Sequence, residues 1–254
     1  PRLRFDSVIS PIGPSAPAEK IEVAEEPKVP PKVESLVSDF DVTLRDAVRE
    51  LSCSGISEYQ IVRLMELGLL GSRGRRRLVP TRWAITAVDS MIGGFLKREV
   101  LRMPEYSGEI LLFRKSYVGN NYFIAIMPGP YRMEILEIWL RGSLWSGGRV
   151  EAYWNYEEAI DKGLRLMDGG HYAARLPILE FLRGRLKRQA SVLFIREVTP
   201  SYYAPLGSWQ IRESVRAALR GDPTRLDSVE ELLAALSNSI RPEARHLIFE
   251  SSLI

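Results

Sequence analysis

Four short apolar segments constrain the fold of this chain more than any other feature. They lie at residues 110–117, 121–127, 132–140 and 191–198, and each has the length and the branched or aromatic side chains typical of a strand. Gly119-Asn120 separates the first two and favours a tight hairpin turn. The last segment is apolar on both faces, which predicts a central strand.

Helical periodicity fills most of the remaining chain, so the whole pattern predicts an α/β fold with a mixed sheet of about five strands flanked by helices. Residues 142–170 predict a loop with a short helix. The expected helices cover residues 43–53, 57–69, 80–98, 171–187, 208–220, 227–237 and 242–250.

The helices at 43–53 and 57–69 have the spacing of a helical hairpin or of a DNA-reading helix–turn–helix. Ser57 followed by Gln60 forms a capping box at the start of the second. Its outward positions include Glu58 and Glu66, whereas a helix that enters a DNA groove needs more positive charge. The charges therefore favour a simple hairpin.

The chain of 254 residues is long enough to bury one substantial core. Its proline-rich first part, residues 1–35, predicts an extended arm wrapped outside the body. The body divides into residues 36–145 and 146–254, which we expect to form one compact unit. Because 35 basic residues nearly match 32 acidic ones, any DNA-binding surface requires local clustering of charge.

The single cysteine, Cys53, excludes an internal disulfide and fits a reducing compartment. One cysteine and two histidines are too few for a structural zinc site. No apolar run approaches the roughly 18 residues of a membrane span, and no signal peptide is apparent. We therefore expect a cytoplasmic protein with no membrane partner. Since the first residue is Pro1 rather than methionine, we also expect a fragment or a processed chain.

The helix at 80–98 places charges along the edge of an apolar face. Arg82 and Asp89 lie two turns apart in one stripe. They can pair with each other, or the arginine can hold an anionic ligand. The apolar arc beside this stripe contains Ala84, Ile85, Val88, Ile92, Phe95 and Leu96.

Further charges fall where apolar residues are expected. Arg175 lies inside the apolar arc of the helix at 171–187, and its donors require carboxylates, carbonyls or a bound anion. Glu134 and Glu137 each interrupt an otherwise apolar strand face, so arginines or a metal ion are their expected partners. Arg212 and Arg216 lie one helical turn apart, with Trp209 close enough to stack on them.

Residues 71–77, Gly-Ser-Arg-Gly-Arg-Arg-Arg, form the most basic segment of the chain. Its arginines cannot neutralise one another. They form either a solvated loop or a flexible loop that contacts phosphates of a nucleic acid. The candidates for nucleic-acid contact are Arg73, Arg75, Arg76 and Arg77.

No catalytic motif stands on its own in this sequence. A phosphate-binding glycine-rich loop, a nucleophile elbow and a metal-binding helix with paired histidines are all absent from it. His171, beside Gly169-Gly170, is interpreted as a turn or surface residue.

Five segments, in this order and spacing, resemble the archaeal NreA family of DNA repair proteins over most of residues 35–220. The resemblance implies a role in resistance to DNA damage and a further N-terminal portion with a cysteine-rich, zinc-binding part. It also implies contact with the sliding clamp through a C-terminal peptide, but Phe249–Ile254 lacks the expected glutamine and paired aromatics. The segments are Leu78–Asp89, Tyr117–Asn120, Gly169–Leu176, Arg188–Ala190 and Arg196–Arg216.

Two explanations of the charges at the core margin stay open. One is a network of buried ion pairs that stabilises the fold. The other is a cleft in which arginines hold a phosphate or nucleotide and carboxylates hold a divalent metal ion or position water. The phosphate- or nucleotide-binding candidates are Arg82, Arg175, Arg212, Arg216, Trp83, Tyr172, Trp209 and Asn120. The catalytic candidates are Asp89, Glu137 and Glu197, and the metal candidates are Asp89, Glu134 and Glu137.

Two functions follow from these explanations. The first is a DNA repair or DNA-damage-response factor that acts on or near DNA, with the sliding clamp as a further partner. The alternative is an enzyme, a metal-dependent phosphodiesterase or nucleotide-binding hydrolase, whose carboxylates converge within metal-binding distance.

Overall fold

The structure, a computed structural model, describes residues 28–143, 146–159, 167–203 and 206–254, together with the backbone of 4–5 and 11–12. Its strands are β1 (Arg4–Phe5), β2 (Pro11–Ile12), β3 (Ile110–Tyr117), β4 (Asn120–Met127), β5 (Arg132–Trp139), β6 (Glu151–Glu158), β7 (Ser191–Val198) and β8 (Thr224–Leu226). Its α-helices are α1 (Pro31–Ser38), α2 (Leu44–Cys53), α3 (Glu58–Glu66), α4 (Thr81–Val100), α5 (Gly169–Phe181), α6 (Ser208–Arg220) and α7 (Val229–Ser239). A 3-10 turn covers Arg73–Arg75, a π-helical segment Leu182–Leu186 continues α5, and a 3-10 helix covers Pro242–Glu250.

Within the described residues, six strands form one sheet in the order β6-β5-β7-β4-β3-β8. Strands β5 and β7 are parallel, and every other neighbouring pair is antiparallel. The expected α/β fold with a mixed sheet is therefore confirmed, with one strand more than the sequence suggested. Strands from both expected parts of the body, 36–145 and 146–254, share this sheet.

Helices cover both faces of the sheet. On one face, α5 and α6 pack through Ile178 and Val215 against side chains such as Phe194 of β7. On the other face, α7 and the 3-10 helix Pro242–Glu250 pack through residues such as Leu236 and Ile248. A third layer of α1, α2 and α3 packs on α4. None of the described helices is both long and apolar enough to cross a bilayer.

Most elements lie where the periodicity predicts them, and β3, β7 and α6 have the expected bounds. The prediction of a loop and short helix at 142–170 was wrong, because β6 lies within it. Glu151, Asn155 and Glu157 interrupt the apolar pattern of this edge strand, yet Asn155 and Glu157 are buried. They are buried because they bind polar partners, which the local pattern does not reveal.

The start of the body was also placed too late. Residues 31–35, expected in the extended arm, begin helix α1, with Pro31 in the first turn, where its ring is tolerated. Val33 and Leu36 of this helix are buried in the cluster formed by the helical layer. Apart from the strands β1 and β2, the rest of the expected arm, residues 1–27, lies outside the described residues.

The parallel pair β5–β7 brings the ends of several elements together. Helix α5 lies between β6 and β7 along the chain, and its first residues lie near the carboxyl end of β5. A Cβ placed on Gly170 would lie 3.2 Å from Glu137 Oε1, and one placed on Gly169 would lie 3.0 Å from Thr86 Oγ1 of α4. In α/β sheets, ligand sites often lie outside the carboxyl ends of parallel strands.

Candidate functional site

Arg212 of α6, a fully buried charge, forms an ion pair with Asp89 of α4. Both side chains are 0% exposed, and the guanidinium of Arg212 donates to Asp89 Oδ1. Its Nε also donates to Glu213 Oε1 at 3.2 Å, and its planar group lies 4.8 Å from the ring centre of Tyr59. The aromatic partner of Arg212 is therefore a residue of α3.

Arg216, one turn further along α6, extends this cluster toward solvent. It binds Glu180 of α5 through two hydrogen bonds of 2.9 and 3.0 Å. It also donates to Glu58 of α3 at 2.6 Å and to Glu213 at 2.9 Å. The two arginines thus join α3, α4, α5 and α6. Carboxylates of the chain accept from Arg216 and from Nε and Nη1 of Arg212, while the buried Nη2 of Arg212 has no hydrogen-bond partner among the described residues.

Burial and ion pairing act in opposite directions on the Asp89 carboxyl. Desolvation raises the pKa of Asp89 from 3.8 to about 6, and the charge of Arg212 limits this rise. Burial also opposes the charge of Arg212, but Asp89 and Tyr59 outweigh it and raise the Arg212 pKa. The pair is therefore ionised at neutral pH and costs desolvation energy to maintain.

A second buried cluster surrounds Glu157 of β6. Its carboxylate lies 2.8 Å from Lys97 Nζ, 2.8 Å from His171 Nε2 and 3.1 Å from Arg175 Nη1. Burial alone would raise the pKa of Glu157, but the hydrogen bond from His171 and the charges of Arg175 and Lys97 lower it. The expectation that His171 is a turn or surface residue was wrong, since it is 1% exposed.

Arg175 reaches this cluster from the buried face of α5. Its Nη2 donates to the carbonyl oxygen of Ser90 at 3.0 Å, and its guanidinium lies 5.0 Å from the ring centre of Tyr172. A Cβ on Gly93 of α4 would lie 3.0 Å from Arg175 Nε, so glycine leaves room for this side chain. A carboxylate, a carbonyl group and an aromatic ring therefore surround the charge predicted inside the apolar arc.

A third polar group lies at the carboxyl ends of β5 and β7. Arg196 donates to Glu137 Oε1 and to Asn120 Oδ1, both at 2.9 Å. Asn120 in turn donates to the carbonyl oxygen of Val118, which has a positive φ of 43°. The predicted turn at Gly119-Asn120 is formed by Val118-Gly119, and the strained valine is held by the side chain of Asn120.

Two further candidate carboxylates, Glu134 and Glu197, lie on the face of the sheet opposite Glu137. Glu134 Oε2 accepts hydrogen bonds from Ser251 Oγ at 2.8 Å and from the backbone of Ser252 at 3.1 Å. Glu197 accepts from Asn121 at 2.7 Å and from the backbone of Arg241 at 2.8 Å. Each fixes a segment near the C-terminus against the sheet.

The expected convergence of Asp89, Glu137 and Glu197 is not seen, because Glu197 and Glu137 lie on opposite faces of the sheet. The same separation applies to Glu134 and Glu137 among the metal candidates. Throughout the described ranges, no group of three His, Cys, Asp or Glu side chains is arranged to hold a metal ion.

The arginine-rich segment divides into internal and external side chains. Arg76 donates to the carbonyl oxygens of Gly71 and Val37 at 2.7 Å and of Asp39 at 2.6 Å. Its guanidinium also lies 4.5 Å from the ring centre of Phe40. Arg76 therefore holds the segment in place, while Arg73, Arg75 and Arg77 are exposed.

Beside this segment lies the first turn of α4, with Arg82 and Trp83 at the surface. Trp83 is 63% exposed, and Arg82 is exposed as well. Arg82 and Asp89, predicted to share one stripe, therefore lie in different environments: Arg82 is at the surface, and Asp89 pairs with Arg212 in the interior. Tyr172 lies against Arg175, and Trp209 is half-buried at the start of α6.

Sequence reasoning missed the residues at the centre of the second cluster, Glu157 and Lys97. Glu157 lies in a strand that was not predicted. Lys97 is near the end of α4, where a lysine is expected at the surface. The one available signal was Arg175, whose buried position demanded a carboxylate.

Comparison with known proteins gives a consistent result. Residues 1–146 match the family model described as archaeal Nre, N-terminal, and residues 157–254 match archaeal Nre, C-terminal. The chain is similar to DNA repair protein NreA of Archaeoglobus fulgidus, with 42% identity over 240 residues, 94% of this chain and 61% of that protein. It is also similar to DNA repair protein NreA of Haloferax volcanii, with 36% identity over 222 residues, 85% of this chain and 52% of that protein.

A third relative is DNA repair protein NreB of Archaeoglobus fulgidus, with 31% identity over 256 residues, 100% of this chain and 64% of that protein. The chain thus spans between 52% and 64% of the length of these three relatives. No solved structure matches it significantly.

Proposed function

Because this chain belongs to the archaeal Nre family, we propose that it is a DNA repair factor that binds DNA through the exposed arginines Arg73, Arg75 and Arg77. The observation that carries this proposal is the separation of two kinds of arginine. Arg175, Arg196, Arg212 and Arg216 bind carboxylates of the chain, whereas the arginines of residues 73–77, apart from Arg76, face solvent.

The exposed arginines are positioned for phosphate binding. Within the described part of the chain, Arg75 and Arg77 form no ion pair that would neutralise them. Arg76 and the backbone bond from Val79 N to Glu66 O, 3.1 Å long, hold the segment against the helical layer. Guanidinium groups on a fixed loop contact phosphate oxygens without a large cost of ordering the loop.

Two finer points belong to the same proposal. We place the protein in the cytoplasm, where a single unpaired cysteine is compatible with the reducing environment. Contact with a sliding clamp would have to use a surface other than residues 251–252, because Glu134 binds them against the sheet.

Salt dependence of DNA binding tests the proposal. The chain is titrated with a labelled duplex and a labelled single strand at increasing NaCl concentration, and binding is followed by fluorescence anisotropy. We expect affinity to fall steeply with salt, because arginine–phosphate contacts release counterions. In the Arg75→Ala/Arg77→Ala variant, binding should weaken for all sequences. The salt dependence should also become shallower, with the magnitude of the negative slope of log K against log [salt] smaller by about 1.5.

A matched control removes the same charge from the other end of α4. Arg98 and Arg102 are exposed as well. Arg98 lies about 25 Å from the first turn of this helix, given a rise of about 1.5 Å per residue, and Arg102 lies just beyond its end. Arg98→Ala/Arg102→Ala should leave affinity and slope nearly unchanged. Binding that does not depend on salt, or an equal loss in both double variants, would contradict the proposal.

A further inference from the structure

A groove of about 530 Å³ lies between the arginine-rich segment and the first turn of α4. Apolar side chains, including Leu44, Met65 and Leu70, form its inner wall, and Trp83, Arg75 and Arg77 contribute to its rim. The groove is therefore an apolar recess next to the arginines assigned above to phosphate contact.

The rim is held rigidly. Gly68, at φ +65°, lies so close to the backbone of Arg77 that a Cβ would be 2.8 Å from its carbonyl carbon. Arg76 adds three hydrogen bonds to backbone carbonyls on the other side of the segment. Arg75 and Arg77 thus project from a backbone segment held by close packing and hydrogen bonds, which lowers the cost of ordering it when a ligand binds.

Two large apolar side chains at this groove face solvent. Trp83 is 63% exposed and Leu78 is 77% exposed. A tryptophan exposed beside an apolar recess is typical of a surface that a ligand covers. An indole ring also offers a flat face on which an aromatic ligand can stack.

The charge around the groove indicates the chemistry of the occupant. Among the described residues that line it are two arginines and no carboxylate. An occupant with a flat aromatic part and flanking negative charge matches both features. A nucleobase with its neighbouring phosphates has this combination, provided that the base is not stacked in a duplex.

We propose that this groove binds an unpaired nucleobase of DNA, stacked on Trp83, while Arg75 and Arg77 contact the phosphates on either side. This proposal rests on the DNA binding proposed above and makes it more specific. It assigns to the chain a preference for single-stranded or unpaired DNA over intact duplex. The duplex keeps its bases stacked, so it contacts the arginines alone.

The test compares Trp83→Ala with the wild-type chain on two labelled probes, a short oligothymidine and a fully paired duplex of equal length. We expect the variant to lose about tenfold in affinity for oligothymidine, the size of one base–aromatic stack, and less than twofold for the duplex. Trp83→Phe should restore most of the loss, since phenylalanine also stacks. Phe249 is equally exposed at 63% and belongs to the 3-10 helix Pro242–Glu250, which packs on the other face of the sheet, so Phe249→Ala is the control variant.

The outcomes separate this proposal from the one on which it rests. If the arginine double variant weakens binding to both probes but Trp83→Ala changes neither, DNA binding stands and the base site is refuted. The same holds if Trp83→Ala weakens both probes equally. If the wild-type chain binds neither probe in a salt-dependent way, both proposals are refuted. Thermal unfolding of Trp83→Ala, expected near wild type, shows that any loss is local.

Discussion

Arg212 and Arg75 carry the same chemical group in two opposite environments. Arg212 is 0% exposed and pairs with Asp89 in the interior, whereas Arg75 is exposed on a loop and has no carboxylate partner within the described residues. The number of arginines in a segment therefore does not indicate a ligand site. The nearest carboxylates of the same chain determine whether an arginine stabilises the fold or stays available for an external anion.

The two buried clusters differ from each other as well. Asp89 has one fully buried cation beside it, and desolvation raises its pKa to about 6. Glu157 has Lys97, His171 and Arg175 around it, and together they lower its pKa. Similar burial of a carboxylate thus has opposite consequences. A hydrogen bond from His171 and the charges of Lys97 and Arg175 outweigh desolvation at Glu157, whereas at Asp89 the charge of Arg212 does not.

Replacing Arg212 should have the largest effect on the free energy of unfolding. Arg212→Ala leaves Asp89 buried without its cation, which should lower the free energy of unfolding by about 3–5 kcal/mol. Unfolding in urea measures this change. Arg220→Ala, in the same helix but exposed, is the control and should change the free energy by less than about 0.5 kcal/mol. A small effect of Arg212→Ala would mean that the pair does not stabilise the fold.

A smaller and pH-dependent effect is expected for Glu157. Glu157→Gln keeps a hydrogen-bond acceptor but removes the charge facing three basic groups, so it should cost about 2 kcal/mol at neutral pH. Since the folded-state pKa is lowered, the charge stabilises the protein above its unfolded pKa of 4.5. The difference between wild type and variant should therefore shrink as pH falls below that value. Urea unfolding at several pH values measures it.

Asp89→Asn is the control, because its effect on stability should depend on pH in the opposite direction. The folded-state pKa of Asp89 is raised, so between pH 4 and 6 the folded state binds more protons than the unfolded state. The stability of wild type relative to Asp89→Asn should consequently fall as pH rises through this range. Parallel pH profiles for the two variants would contradict the assignment of opposite environments.

The smallest effect on stability is expected at the surface. Arg75→Ala/Arg77→Ala should change the free energy of unfolding by no more than about 0.5 kcal/mol, because both side chains are exposed. The same variant should lose DNA affinity. A clear loss of stability would show that these arginines also serve the fold, and it would remove the contrast with Arg212.

Much of the fold follows from local pattern. The apolar segments gave the positions of β3, β4, β5 and β7, because alternating or continuous burial leaves a signature in neighbouring residues. Strand β6 left no such signature, because two of its buried side chains are polar. For the site, the sequence indicated that Arg175 and Arg212 are charged groups at the core, but it did not give their partners.

The sequence by itself determined the fold class, the family resemblance and the presence of charges on apolar faces. Only the tertiary structure decided that Arg212 pairs with Asp89, 123 positions away, that Arg175 meets Glu157, and that Glu137 and Glu197 lie on opposite faces of the sheet. The physical reason is that periodicity specifies which side of an element is buried. The partner that a buried charge meets depends on how distant elements pack together.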